Sequence, residues 1–101
     1  GMTMHNFGIE MGRYHLPKSY FNRCVINGEI FGPKASMHAG FFDKVVPAGE
    51  WEDSILMAGK LFGQVNPKAF RETKLRSRKE LFKILDKAIS DDLDRTKIHA
   101  M

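Results

Sequence analysis

Ala39-Gly40-Phe41-Phe42-Asp43-Lys44-Val45-Val46-Pro47 divides the chain into two parts of different character. Gly40 closes a brief helix that Gly32-Pro33 opens, because proline suits a first helical position and glycine the left-handed residue beyond a last one. Phe41 to Val46 is apolar and partly β-branched, and Pro47 ends it. The run is short for a strand, so an extended connection is expected there.

Helix signals dominate beyond Pro47. Trp51, Ile55, Ala58 and Phe62 recur at helical spacing, with Leu61 beside them. Glu50, Glu52 and Asp53 fall in the first turn, where the helix dipole favours negative charge. Lys60 lies near the end, and Gly63 is the expected stop. Asn66-Pro67 reads as the N-cap and first position of the next helix. That helix is expected to run on through Leu81, Phe82, Leu85, Ala88 and Ile89, a second apolar stripe. Ser90-Asp91-Asp92 either caps a last turn or interrupts it. Both stripes read as helix–helix packing.

Toward the N-terminus, Pro17 stands at the first position of a helix over Ser19 to Asn27, with Tyr20, Phe21, Cys24 and Val25 on one face. Asn27-Gly28 supplies a left-handed cap. Asn6 to His15 carries Phe7, Ile9, Met11 and Tyr14 without a clean period and reads as a weak helix. The expected fold class is mostly α.

The chain has 101 residues, which suits one domain, and its 43% hydrophobic and 28% charged residues argue against disorder. No apolar run is long enough to span a membrane. A lone Cys24 excludes an intrachain disulfide and a thiolate metal cluster. No basic region followed by an apolar run marks a secretory signal, so a cytoplasmic or organelle-matrix setting is expected. Gly1 before Met2 reads either as the scar of a cleaved tag or as a native residue.

The net charge of +4 permits a nucleic-acid or anionic partner without requiring one. His5, His15, His38 and His99 include no pair at the i, i+3 or i+4 spacing of a helical metal site. Cys24, between Phe21 and Val25, reads as a small buried hydrophobe rather than a reactive thiol. Lys68, Arg71, Lys74 and Arg78 form a basic stripe, flanked by Arg76 and Lys79. It can hold phosphates, or be a solvated helix face. Phe70 alone interleaves it, which weighs against single-strand stacking.

The order of motifs carries a family resemblance. Gly1-Met2-Thr3-Met4-His5, Tyr20-Phe21-Asn22-Arg23, Val25-Ile26-Asn27-Gly28-Glu29-Ile30-Phe31 and the Ala39–Pro47 stretch together resemble the C-terminal part of the enoyl-CoA hydratase/isomerase (crotonase) family. Asn66-Pro67-Lys68-Ala69 to Thr73-Lys74 resembles the start of that family's late helix. The Ala39–Pro47 stretch is the most specific piece. The resemblance implies a helical C-terminal segment of a crotonase-like fold without the N-terminal ββα spiral core. It implies one helical segment over 1–101, with 1–46 as the end of the core-like part and 47–101 as oligomerisation helices.

In the family, the core binds the coenzyme A thioester and supplies the two N–H groups that stabilise its enolate. Glutamates there act as acid and base in hydratases, and one carboxylate moves a proton in isomerases. The resemblance puts the last such carboxylate upstream of Gly1, and Glu10 and Glu29 match no catalytic position. No catalytic residue is therefore expected here, nor a covalently bound cofactor.

Met4, His5 and Phe7 match the edge of the acyl pocket, and His5 stands where many relatives have proline. Lys68, Lys74 and Arg78 match basic late-helix residues near the nucleotide of coenzyme A. The resemblance thus implies a fragment of an acyl-CoA enzyme, inactive alone, whose partners are a missing N-terminal half, acyl-CoA in the intact enzyme, and other copies of the chain. Val25, Ile26, Ile30, Phe41, Phe42, Val45 and Val46 would lose their partner without the core, so self-association is expected. The alternatives are a non-catalytic helical oligomer and, less in keeping with the Ala39–Pro47 stretch, a small basic nucleic-acid binder.

Overall fold

A computed structural model describes residues 2–94. Expectations about Gly1 and His99, and the last residues of the 47–101 segment, lie outside them. The described residues are mostly helical and contain no strand. Six helices follow in order: α1 (Asn6–His15), α2 (Lys18–Phe21), α3 (Pro33–Ala39), α4 (Trp51–Gly63), α5 (Pro67–Ser77) and α6 (Lys79–Leu93). A π turn, Asn22–Ile26, extends α2, and a 3-10 turn, Ala48–Glu50, leads into α4.

Punctuation residues set most boundaries. Gly32 and Pro33 start α3, and Gly40 ends it at φ 107°, a conformation that only glycine adopts without strain. The Asn66 side chain accepts from the Ala69 N–H at 3.0 Å and so caps α5. Gly28 is left-handed at φ 64° and ends the π turn. Phe41 to Pro47 forms neither helix nor strand.

Several helix boundaries differ from expectation or settle an open one. The helix after Pro17 starts at Lys18, with Pro17 itself as N-cap, and widens into the π turn, where the Asn27 N–H reaches the Asn22 carbonyl at 2.8 Å. The late helix is not continuous. It breaks at Arg78 (φ −106°, ψ 6°), where the Ser77 hydroxyl donates to the Lys74 carbonyl at 2.9 Å and draws the last turn of α5 closed. Gly63 is the last residue of α4 rather than its stop, and Gln64 is the C-cap. Ser90-Asp91-Asp92 does not interrupt α6, which continues through Leu93.

The main seam is α1 against α6. They run antiparallel: Asp92 near the end of α6 meets the start of α1, and Leu81 and Ile84 flank Arg13 and Tyr14. Ala88 is buried there, with Leu81 and Leu85 half-buried, so the Leu81 stripe does pack helix on helix. Gly12 lets the π turn approach α1: a Cβ at Gly12 would meet Val25 Cγ2 at 2.7 Å. The Arg13 guanidinium caps this corner, lying 4.8 Å from the Phe21 ring centre.

The Trp51 stripe behaves otherwise. α4 makes no comparable contact with another helix, and Trp51, Ile55 and Phe62 remain 54%, 58% and 68% exposed. The chain is accordingly open. Its radius of gyration is 17.4 Å, against about 13 Å for a compact domain of this length.

Candidate functional site

Two regions hold the candidate residues, at opposite ends of α1. The first is its N-terminus. His5 is the N-cap, and its Nδ1 accepts from the Gly8 N–H at 2.8 Å. Gly8 makes room for the ring, since a Cβ there would stand 2.8 Å from His5 Cε1. The Asp92 carboxylate completes the cap from 86 residues away, accepting from Asn6 N–H at 2.7 Å and Phe7 N–H at 2.9 Å. Three of the four N–H groups that a helix start leaves unpaired are thereby satisfied.

Those bonds hold the Asp92 carboxyl below its ordinary value. The Phe7 N–H contributes most, partial desolvation opposes it, and Asn6 adds to the lowering. Met4 and Phe7 stay partly exposed beside this cap, and the His5 and Phe7 rings lie 6.4 Å apart. The three residues matched to an acyl-pocket edge are thus neighbours on a backbone that Asp92 fixes. Asp92 was not foreseen, because nothing local in the sequence links it to Asn6.

The second region is an open cleft of about 470 Å³ between the C-terminal end of α1 and the length of α5, lined by Tyr14, Phe70, Thr73, Lys74, Ser77 and Arg78 among others. Lys74 Nζ lies 5.5 Å from the Phe70 ring centre. Lys74 and Arg78 therefore share one recess. Lys68 does not line it, because six residues along a helix place it about 120° round from Lys74. The basic stripe is divided rather than continuous. The two regions are separated by most of α1, roughly 14 Å at 1.5 Å per residue.

The remaining candidates are occupied structurally. Arg23 Nη2 meets Glu29 Oε1 at 2.6 Å and Nε meets Oε2 at 2.9 Å, while its guanidinium lies 5.2 Å from the Tyr20 and 5.1 Å from the Phe31 ring centre. The Arg23 hydrogen bond holds the Glu29 carboxyl below its ordinary value. Glu10 pairs with Arg13 at 3.3 Å. Cys24 is half-buried rather than buried, on a shallow cleft with Phe31, Ser36, Phe41 and Phe42. Among the described residues, no group of three His, Cys, Asp or Glu side chains is placed to hold a metal ion. No described helix is long and apolar enough to cross a membrane.

Comparison with known proteins gives this geometry a context. The chain is similar to an enoyl-CoA hydratase/isomerase family protein from Pseudomonas syringae whose crystal structure is known, at 48% sequence identity and a TM-score of 0.88 over 91% of this chain. It spans 40% of the length of that protein. No protein-family model and no curated protein matches the chain. The likeness in sequence and in backbone together makes this chain the counterpart of a C-terminal part of an enoyl-CoA hydratase/isomerase family protein.

Proposed function

We propose that the chain is the C-terminal helical part of an acyl-CoA hydratase or isomerase, inactive by itself and dependent on a core that supplies the oxyanion hole and catalytic carboxylates. The observation that carries this reading is the match to 40% of a family protein at 48% identity. The cap around Asn6 and Phe7 suits a fixed pocket edge, with Met4, His5 and Phe7 facing an acyl chain. Lys74 and Arg78, in one cleft with two aromatic rings, suit the phosphates and base of coenzyme A. Lys68, outside that cleft, has the weaker claim. The exposed Ile26, Ile30, Phe41, Phe42 and Val45 suit the face that meets the core.

The test is to incubate the chain with a short 2-enoyl-CoA and follow loss of the enoyl absorbance. No turnover is expected from the chain alone. Adding the Pseudomonas syringae relative shortened to its unmatched part is expected to restore turnover, and Lys74→Ala with Arg78→Ala to raise KM for the thioester. Turnover by the isolated chain that Glu10→Gln or Glu29→Gln abolishes would overturn the reading.

A further inference from the structure

His5 is fixed at the start of α1 by a bond that only its neutral ring can make. Its Nδ1 accepts from the Gly8 N–H at 2.8 Å, so this nitrogen carries no proton and the ring bears its hydrogen on Nε2. A proton taken from solvent adds at Nδ1. The resulting imidazolium donates from both nitrogens and accepts at neither. It cannot keep the Gly8 bond, and a cation directly before a helix also opposes the helix dipole.

Another partner stands beside the ring. The N–H groups of Asn6, Phe7 and Gly8 are consecutive donors of one turn, the first two bonded to Asp92 and the third to His5. The Asp92 carboxylate and the His5 ring therefore sit side by side on the same helix start. The Phe7 N–H does most to lower the Asp92 carboxyl, and attraction to a charged His5 adds to the lowering. Asp92 is thus an anion throughout the interval in which imidazoles change charge, about pH 5 to 8. The charged groups around this corner, among the described residues, are few in kind. Asp91 accepts from Lys87 at 2.8 Å, Asp94 ends α6, and Glu10 pairs with Arg13 further along α1. The end of α6 is rich in carboxylates, which favours a cationic ring over a neutral one.

From this we propose that the start of α1 is a proton-driven exchange of partners: neutral His5 caps Gly8 through Nδ1, and protonated His5 releases Gly8 and donates its Nδ1–H to the Asp92 carboxylate. A cap bond is lost and a charge-assisted one is gained, so the exchange moves the ring and leaves the helix standing. The His5 ring and the Met4 side chain both crowd Gly8, where a Cβ would stand 2.8 Å from His5 Cε1 and 3.2 Å from Met4 Cγ. A ring that leaves Gly8 therefore withdraws a neighbour from Met4 and alters its 6.4 Å spacing from the Phe7 ring. The output of the switch is the placement of Met4 and Phe7. Only the meaning of that output, a pocket edge set by pH, rests on the acyl-CoA reading.

The experiment is nuclear magnetic resonance of the full chain, labelled with nitrogen-15 and carbon-13 and titrated from about pH 8 to about pH 5. At the upper end a scalar coupling across the hydrogen bond is expected between the Gly8 amide nitrogen and His5 Nδ1, with the ring proton on Nε2. On acidification the coupling should vanish as Nδ1 takes its proton, and the Asp92 carboxyl carbon signal should move with the same midpoint. Asp92→Asn should shift that midpoint to lower pH, because the anion that favours the imidazolium is gone. His5→Asn caps without titrating, so its Asn6, Phe7 and Gly8 amide signals should stay still over the interval, with helix content by circular dichroism unchanged. No coupling near the upper end, a coupling that survives below the midpoint, an unmoved Asp92 signal, an unchanged midpoint in Asp92→Asn, or a wild-type response in His5→Asn would overturn the exchange. No thioester enters the test, so its failure leaves the acyl-CoA reading untouched.

Discussion

A single carboxylate, Asp92, closes the helical cap that His5 begins, and its effect depends on its charge. Asp92→Asn keeps the shape and loses the anion, so a lower Tm is expected, and Asp92→Ala should lower it further. The folded chain binds this proton more weakly than the unfolded chain does, because the Asp92 pKa is lowered. Its stabilisation is therefore fully present above the ordinary carboxyl range, near about pH 4, and is lost as pH falls through the lowered value. Thermal melts of the wild type should show this acid loss, and melts of Asp92→Asn should show less of it. Gly40, at φ 107°, is a second sensitive point. Gly40→Ala should cost about 1–2 kcal/mol in a denaturant titration, the penalty of a left-handed L-residue. Asn66→Ala, which removes the α5 cap, should cost about 1 kcal/mol by the same measurement.

At the scale of elements, legibility followed the range of the determining interaction. Gly32-Pro33, Gly40 and Asn66-Pro67 act within their own turn, and the ends of α3 and the start of α5 lay open in the sequence. The π turn at Asn22–Ile26 did not, since one extra residue in a turn leaves the apolar recurrence of Tyr20, Phe21, Cys24 and Val25 intact. The break at Arg78 was hidden because most residues around it are good helix formers, and the Ser77 hydroxyl bonded to the Lys74 carbonyl leaves no mark in the apolar pattern. Asp92 as partner of α1 was beyond sequence reasoning, because two bonds across 85 or more residues leave no local trace. The same range rule marks the candidate site: Lys68, Lys74 and Arg78 look like one stripe on paper, yet folding sends only two of them into the Tyr14–Phe70 cleft. Leu85→Ala should test the α1–α6 seam. Leu85 is half-buried, so a loss of about 1–2 kcal/mol by denaturant titration is expected, below the range for fully buried leucines.

At the scale of the molecule, much apolar surface stays exposed to solvent. Ile30 is 95% exposed and Phe42 52%, and these lie apart in sequence from the α4 stripe. A hydrophobic dye such as ANS should therefore bind the chain at neutral pH and become fluorescent without denaturant.

The α1–α6 seam also makes the chain a closed loop in kinetic terms. Most other packing joins neighbours in sequence, whereas the Asp92 clasp must wait for a segment of about 80 residues to return on itself. By polymer statistics that costs about 2–3 kcal/mol more than closing a single turn, so the meeting of α1 with α6 is the step expected to set the folding rate. The intervening chain is the tether that makes this meeting intramolecular, and a tether of this kind supplies an effective concentration in the millimolar range. A protease cut between Phe41 and Pro47 would sever it without touching either seam helix. The nicked molecule would then hold its shape in concentrated solution and come apart on dilution.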